Sequence, residues 1–136
     1  MAGTLLAPLL ALAGQCFAGE VEPGSRDVHC FTSVYGGHHV RDVHKITKSG
    51  RILYQGETMY SVEGGQVTFT YLISIGGIGR GIATLGPGDW RFSGMMRATP
   101  ADAPKPFLIR WQWSGAQSYS VRSGGATVTY RRTGRK

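Results

Sequence analysis

The chain has 136 residues, 41% of them hydrophobic and 17% charged, with 21 glycines, six prolines and two cysteines. That length holds one domain, and the composition excludes a multidomain enzyme, a coiled coil and a cysteine-rich scaffold. Fifteen lysines and arginines against eight acidic residues give a net charge of +7 and a pI near 9.9, a balance that favours solubility and contact with an anionic polymer or membrane surface.

Residues 1–18, MAGTLLAPLLALAGQCFA, carry no charged side chain and close on the small-x-small triplet Cys16-Phe17-Ala18. They read as a secretory signal cleaved after Ala18, which implies a secreted or periplasmic protein. No basic residue precedes the apolar run and Pro8 interrupts it, so the alternative is a short apolar helix that is retained. Cleavage leaves Cys30 alone, whereas retention permits a Cys16–Cys30 disulfide. Residues 19–37 form a polar lead-in, of which 28–35 is either an additional strand or a covering segment.

From residue 38 onward, short runs alternate apolar and polar residues between glycine-bearing turns, the period-two signature of antiparallel strands. The runs fall at about 38–47, 51–62, 66–75, 79–85, 89–98, 107–114, 118–123 and 126–132. The connections between them are short enough to make sequential neighbours pair as hairpins. One connection differs: Pro100, Pro104 and Pro106 fix a longer irregular loop. Residues 133–136 form a basic tail.

Taking alternate residues gives each run one apolar face: Tyr54 and Tyr60, then Val67, Phe69 and Tyr71, then Trp90 and Phe92. Phe107, Trp111 and Trp113, then Tyr119, and finally Tyr130 continue that face. Arg91, Arg110, Arg122 and Arg131 fall on the opposite one. About eight hairpin-linked strands, each with one dry face and no helix to cover it, are best satisfied as an all-β, antiparallel up-and-down meander closed into a barrel. The architectural alternative is a two-sheet β-sandwich.

The strand series RILYQGETMYSV, GGQVTFTYLISIGGIGRG, DWRFSGMM, FLIRWQW and VTYRR resembles the calycin superfamily, and within it small secreted bacterial lipocalin-like proteins without assigned function. The first strand, GGHHVRDVH, lacks the tryptophan with which lipocalins proper open, and no helix follows the barrel. The resemblance implies a small-molecule cavity and names no ligand. Haem, which nitrobindins among the calycins bind through a histidine, matches no particular position here, and the cofactor stays unknown.

The densest chemical cluster is His38, His39, Arg41, Asp42 and His44, where alternation puts His38, Asp42 and His44 on one face. A metal would need further ligands from other strands, such as His29 or Glu57, so the cluster reads as a polar rim near a barrel mouth and no metal site is assigned. Arg80 alternates with the inward face through Ile78, Ile82 and Thr84, which makes it a candidate anchor for an acidic headgroup. Hydroxyls from Tyr54, Tyr71 and Tyr130 would assist, and Phe92, Trp111 and Trp113 would line the cavity. Gly76–Gly81 is followed by a strand, so the helix N-terminus of a phosphate loop is missing.

The sequence therefore points to a secreted or periplasmic binding protein for a small, mostly apolar or amphipathic molecule. The alternatives are a basic surface that binds an anionic polymer or membrane, and an enzyme using Asp42 and His44. Nucleic acid is not an expected partner, because alternation separates the basic residues from the aromatic ones.

Overall fold

The computed structural model describes residues 2–135, and the side chains of 5–134. Met1 of the expected signal and Lys136 of the expected tail lie outside the described residues. A helix, α1 (Ala2–Leu10), precedes ten strands: β1 (Gln15–Gly19), β2 (Ser25–Val34), β3 (His39–Lys48), β4 (Arg51–Glu63), β5 (Gln66–Ile73), β6 (Ile78–Gly86), β7 (Asp89–Arg97), β8 (Lys105–Ser114), β9 (Ser118–Ser123) and β10 (Ala126–Arg135). A turn of 3-10 helix at Tyr35–Gly37 links β2 to β3.

All strands are antiparallel to their neighbours, and β1 pairs with both β2 and β10, so the meander closes into a barrel without edges. Tight turns set the register. In two hairpins the central pair, Ser49-Gly50 and Gly64-Gly65, is left-handed at both positions, the twist that a two-residue connection between right-twisted strands requires.

The eight runs read from alternation all appear as strands, but the barrel has ten, and a sandwich is not indicated. The two further strands come from residues read as leader and lead-in. Residues 2–10 form α1, residues 15–19 form the strand that closes the ring, and Cys16 is bonded to Cys30 across β1 and β2. The barrel described here thus includes the segment expected to be cleaved, and β10 continues through the expected tail to Arg135.

α1 lies against β3, β4 and β5 and plugs one end of the barrel. Leu6 and Leu9 are fully buried, and Leu12 nearly so, on one face of the helix and the turn after it. They pack into a cluster with Phe17, Phe31 and Val40. Each buried leucine contributes about 1.5–3 kcal/mol. The opposite end is the mouth, ringed by the 20–24, 49–50, 74–77, 98–104 and 124–125 connections.

Candidate functional site

Inward positions of β2 and β3 change character along the barrel axis. Near the plug they are Phe31 and Val40; toward the mouth they are Asp27, His29, Asp42 and His44. Asp27, Asp42 and His44 are buried to 3%, 2% and 6% exposure. Charged groups are taken out of water only when paired and hydrogen-bonded, and here they pair with one another.

Asp27 is the hub. Its Oδ2 accepts from His29 Nε2 at 3.1 Å and from the Tyr130 hydroxyl at 2.6 Å, while Oδ1 accepts from His44 Nδ1 at 3.0 Å. His29 Nδ1 meets both oxygens of Asp42, at 2.8 and 2.9 Å, and His44 Nε2 is hydrogen-bonded with the Tyr71 hydroxyl at 2.7 Å. The two imidazoles stack with centroids 4.6 Å apart and planes 13° from parallel.

Facing a carboxylate with each nitrogen, His29 must donate from both and is an imidazolium. Burial by itself pushes its pKa down, but the charge of Asp42 and the hydrogen bonds to both carboxylates raise it to about 10. For Asp27, burial pushes upward, yet hydrogen bonds from His29 and His44 win and hold the carboxyl well below the usual range. Burial, with the nearby acidic charges, raises Tyr71 and Tyr130, so both phenols remain proton donors.

Both tyrosines reach the network across an intervening strand, and in each case that strand offers a glycine. Tyr130 on β10 passes β1 at Gly19, which is in register with both Tyr130 and Asp27. A Cβ there would stand 2.8 Å from Thr129 O and 3.0 Å from the Tyr130 ring. Tyr71 on β5 passes β4 at Gly56, whose added Cβ would stand 2.7 Å from Tyr71 Cε1 and 2.8 Å from His44 Nε2. Two gaps in the inner wall therefore let second-neighbour strands bond to one cluster.

Beside the network lies a chamber of about 180 Å³ lined by His29, Asp42, His44, Thr58 and otherwise mostly aromatic and aliphatic side chains. A larger vestibule of about 810 Å³ shares Tyr71, Met96 and Phe107 with it and extends under the proline-rich loop. On β6 the inward positions are Gly79, Gly81 and Ala83, in register with the inward Tyr71, Phe69 and Val67 of β5.

That inversion corrects the sequence reading of β6. Arg80 is exposed, in register with Thr70 and Met95 on the outer face, so it anchors nothing inside. The branched Ile78, Ile82 and Thr84 had marked the wrong face, because the inner wall here is made of residues too small to read as a core. Of the other candidates, Tyr71, Phe92, Trp111 and Tyr130 line the chamber, while Tyr54 lines the vestibule. Trp113 lies toward the plugged end, against Phe17 and Trp90.

Asp42 and His44 do share the inward face, but they do not pair: Asp42 holds His29, and His44 is held by Asp27. His38 sits in the turn before β3, exposed, and His39 bonds Ser61 at 2.7 Å. The sequence reading missed the central roles of Asp27, His29, Gly19 and Gly56. Their available signal was the polar alternation Asp27, His29 within a stretch taken as lead-in.

Asp27, His29 and His44 bring potential ligand atoms within 4.8 Å of one another. Here, however, His29 Nε2 and His44 Nδ1 both bond the Asp27 carboxylate, whereas a zinc-type ion needs free nitrogen lone pairs converging on it at about 2.0–2.1 Å. As folded, the cluster is a proton-holding hydrogen-bond network, with a continuous line from Asp27 through His44 to Tyr71.

Fold and site together define a closed ten-stranded barrel with a partly polar internal chamber. No family model matches the chain, and no curated protein does. Among solved structures, the crystal structure of Rv2717c from M. tuberculosis resembles it with a TM-score of 0.61 and 15% sequence identity, over 95% of this chain and 97% of that one. At that identity the likeness is one of fold alone.

Proposed function

We propose that the protein binds a small, mostly apolar molecule in the mouth-side chamber, with one polar group of that molecule turned toward the Asp27–His29–Asp42–His44 network. The observation that carries this reading is the chamber itself, room for about six waters walled by aromatic rings on most sides and by the hydrogen-bonded His29, Asp42 and His44 on one. A few fixed polar groups in an apolar cavity are how small-molecule sites orient their guests. The closed meander and internal cavity favour placing the barrel among the calycins, as a lipocalin-like protein. The Cys16–Cys30 bond favours an oxidising compartment, secreted or periplasmic.

Native mass spectrometry of protein purified from its own compartment tests the reading, against the same sample denatured. An extra mass that is retained natively and missing from a Val121→Phe variant, whose larger ring would fill the chamber, is the expected result. Only the bare polypeptide mass in every native spectrum contradicts it.

A second reading, contact with an anionic polymer, is favoured by one feature of the outer face. Arg91, Arg110 and Arg122 stand in register across β7, β8 and β9, with Asp89 bonded to Arg110 at 2.8 Å. Retention on a polyanion matrix that is lost in moderate salt, and lost in an Arg91→Gln, Arg122→Gln double variant, is expected if that row binds.

A further inference from the structure

We propose that the chamber selects an organic cation: a small apolar molecule bearing a protonated amine that pairs with Asp42. This rests on the ligand-binding reading above and names the chemical class of its guest.

The two carboxylates of the network are not equally satisfied. Asp27 accepts from three donors, His29, His44 and Tyr130. Asp42, which lines the chamber, accepts from a single N–H, that of His29 Nδ1, shared between its two oxygens. A carboxylate offers about four acceptor positions, so Asp42 keeps unfilled capacity on a group that is only 2% exposed. Thr58, its cross-strand partner on β4, also lines the chamber.

Charge points the same way. Asp27 and Asp42 contribute two negative charges and the His29 imidazolium one positive. His44 is bonded through Nδ1 to Asp27 and through Nε2 to Tyr71. Two carboxylates thus face one doubly bonded imidazolium inside the barrel, and among the described residues no charged side chain from outside the network lines the chamber. A buried charge without a partner is costly, and a guest that brings an ammonium relieves that cost. A guest carboxylate would add to it.

The apolar walls suit the same guest. Trp111, Tyr60, Phe92 and Tyr130 bound the chamber, and aromatic faces attract a cation through their quadrupoles. The vestibule carries Arg97 and Lys105 against Asp102, so the selectivity for a cation comes from the chamber and not from its approach.

Three probes of nearly one shape separate charge from fit: benzylamine, benzyl alcohol and benzoate. Calorimetric titration of the full chain at pH 7 is expected to show benzylamine bound about tenfold or more tightly than benzyl alcohol, with benzoate weakest. Asp42→Asn, which keeps an oxygen for His29, is expected to remove that preference and to leave benzyl alcohol within about threefold. Benzoate or benzyl alcohol binding as tightly as benzylamine in the unaltered protein overturns the cation assignment while the chamber reading stands. If none of the three binds and native spectra show no guest, the chamber reading falls and this inference falls with it.

Discussion

The two ends of the barrel interior are built from the same alternating strands and finished in opposite ways. At the plugged end, Leu6 and Leu9 of α1 meet Phe17, Phe31 and Val40 and leave no polar side chain among them. Toward the mouth, the next inward positions of β2 and β3 are Asp27, His29, Asp42 and His44, and the space beside them stays open. One end spends its inward positions on burial. The other holds two carboxylates and two imidazoles in fixed geometry, at a desolvation cost that mutual hydrogen bonds offset.

If the division is real, the two ends should fail differently. Asp27→Ala removes the acceptor for three donors and leaves the His29 cation with one partner; unpairing a buried charge in this way costs about 3–5 kcal/mol. Equilibrium unfolding in urea should show that loss together with weakened guest binding. Leu9→Ala opens a void in the plug at about 2–5 kcal/mol, yet guest affinity measured on the folded protein should hardly change. An equal loss of affinity in both variants would erase the distinction between the ends.

Gly56→Ala is a smaller and more local test. The added methyl lands on Tyr71 and His44, so a cost of about 1–3 kcal/mol from overpacking is expected, with loss of the Tyr71–His44 hydrogen bond visible in the imidazole nitrogen spectrum. Alanine accepted there with that bond intact would show that the gap in β4 is incidental.

The pH dependence sharpens the comparison from another side. Asp27 is lowered by folding, so its contribution is present above the ordinary carboxylate range and is lost as pH falls through and below it. His29 is raised to about 10, so its contribution is complete below about pH 6.5 and is lost as pH climbs from there toward 10. Stability from the network should therefore be greatest between the two ordinary ranges, and a His29→Gln variant should lose the alkaline limb. Thermal unfolding of both proteins from pH 4 to pH 9 measures the difference.

The eight strands after residue 38 are legible because their inward residues are large and apolar and their outward ones polar, as along Val67, Phe69 and Tyr71 of β5. The reading failed wherever that pattern reverses. On β2 the inward side chains are Asp27 and His29 while Val28 and Cys30 face outward, so alternation offered no core face and the strand passed for lead-in. On β6 the inward side holds Gly79, Gly81 and Ala83 and the outward side Ile78 and Ile82, which turned Arg80 the wrong way. The reversal on β2 borders the chamber, where a cavity and a polar network replace core packing. Asp42 and His44 were read as sharing one face, and in the barrel that face is the inward one, where Val40 and Ile46 of β3 are in phase with them. Their partners were not legible, since Asp27 and His29 come from another strand.

The most direct test is the charge state of the network, read from the imidazole nitrogens of the uniformly 15N-labelled protein at pH 8. The account requires His29 to appear as an imidazolium, with both nitrogens protonated. A neutral His29 at that pH would contradict the doubly paired imidazolium on which the network rests.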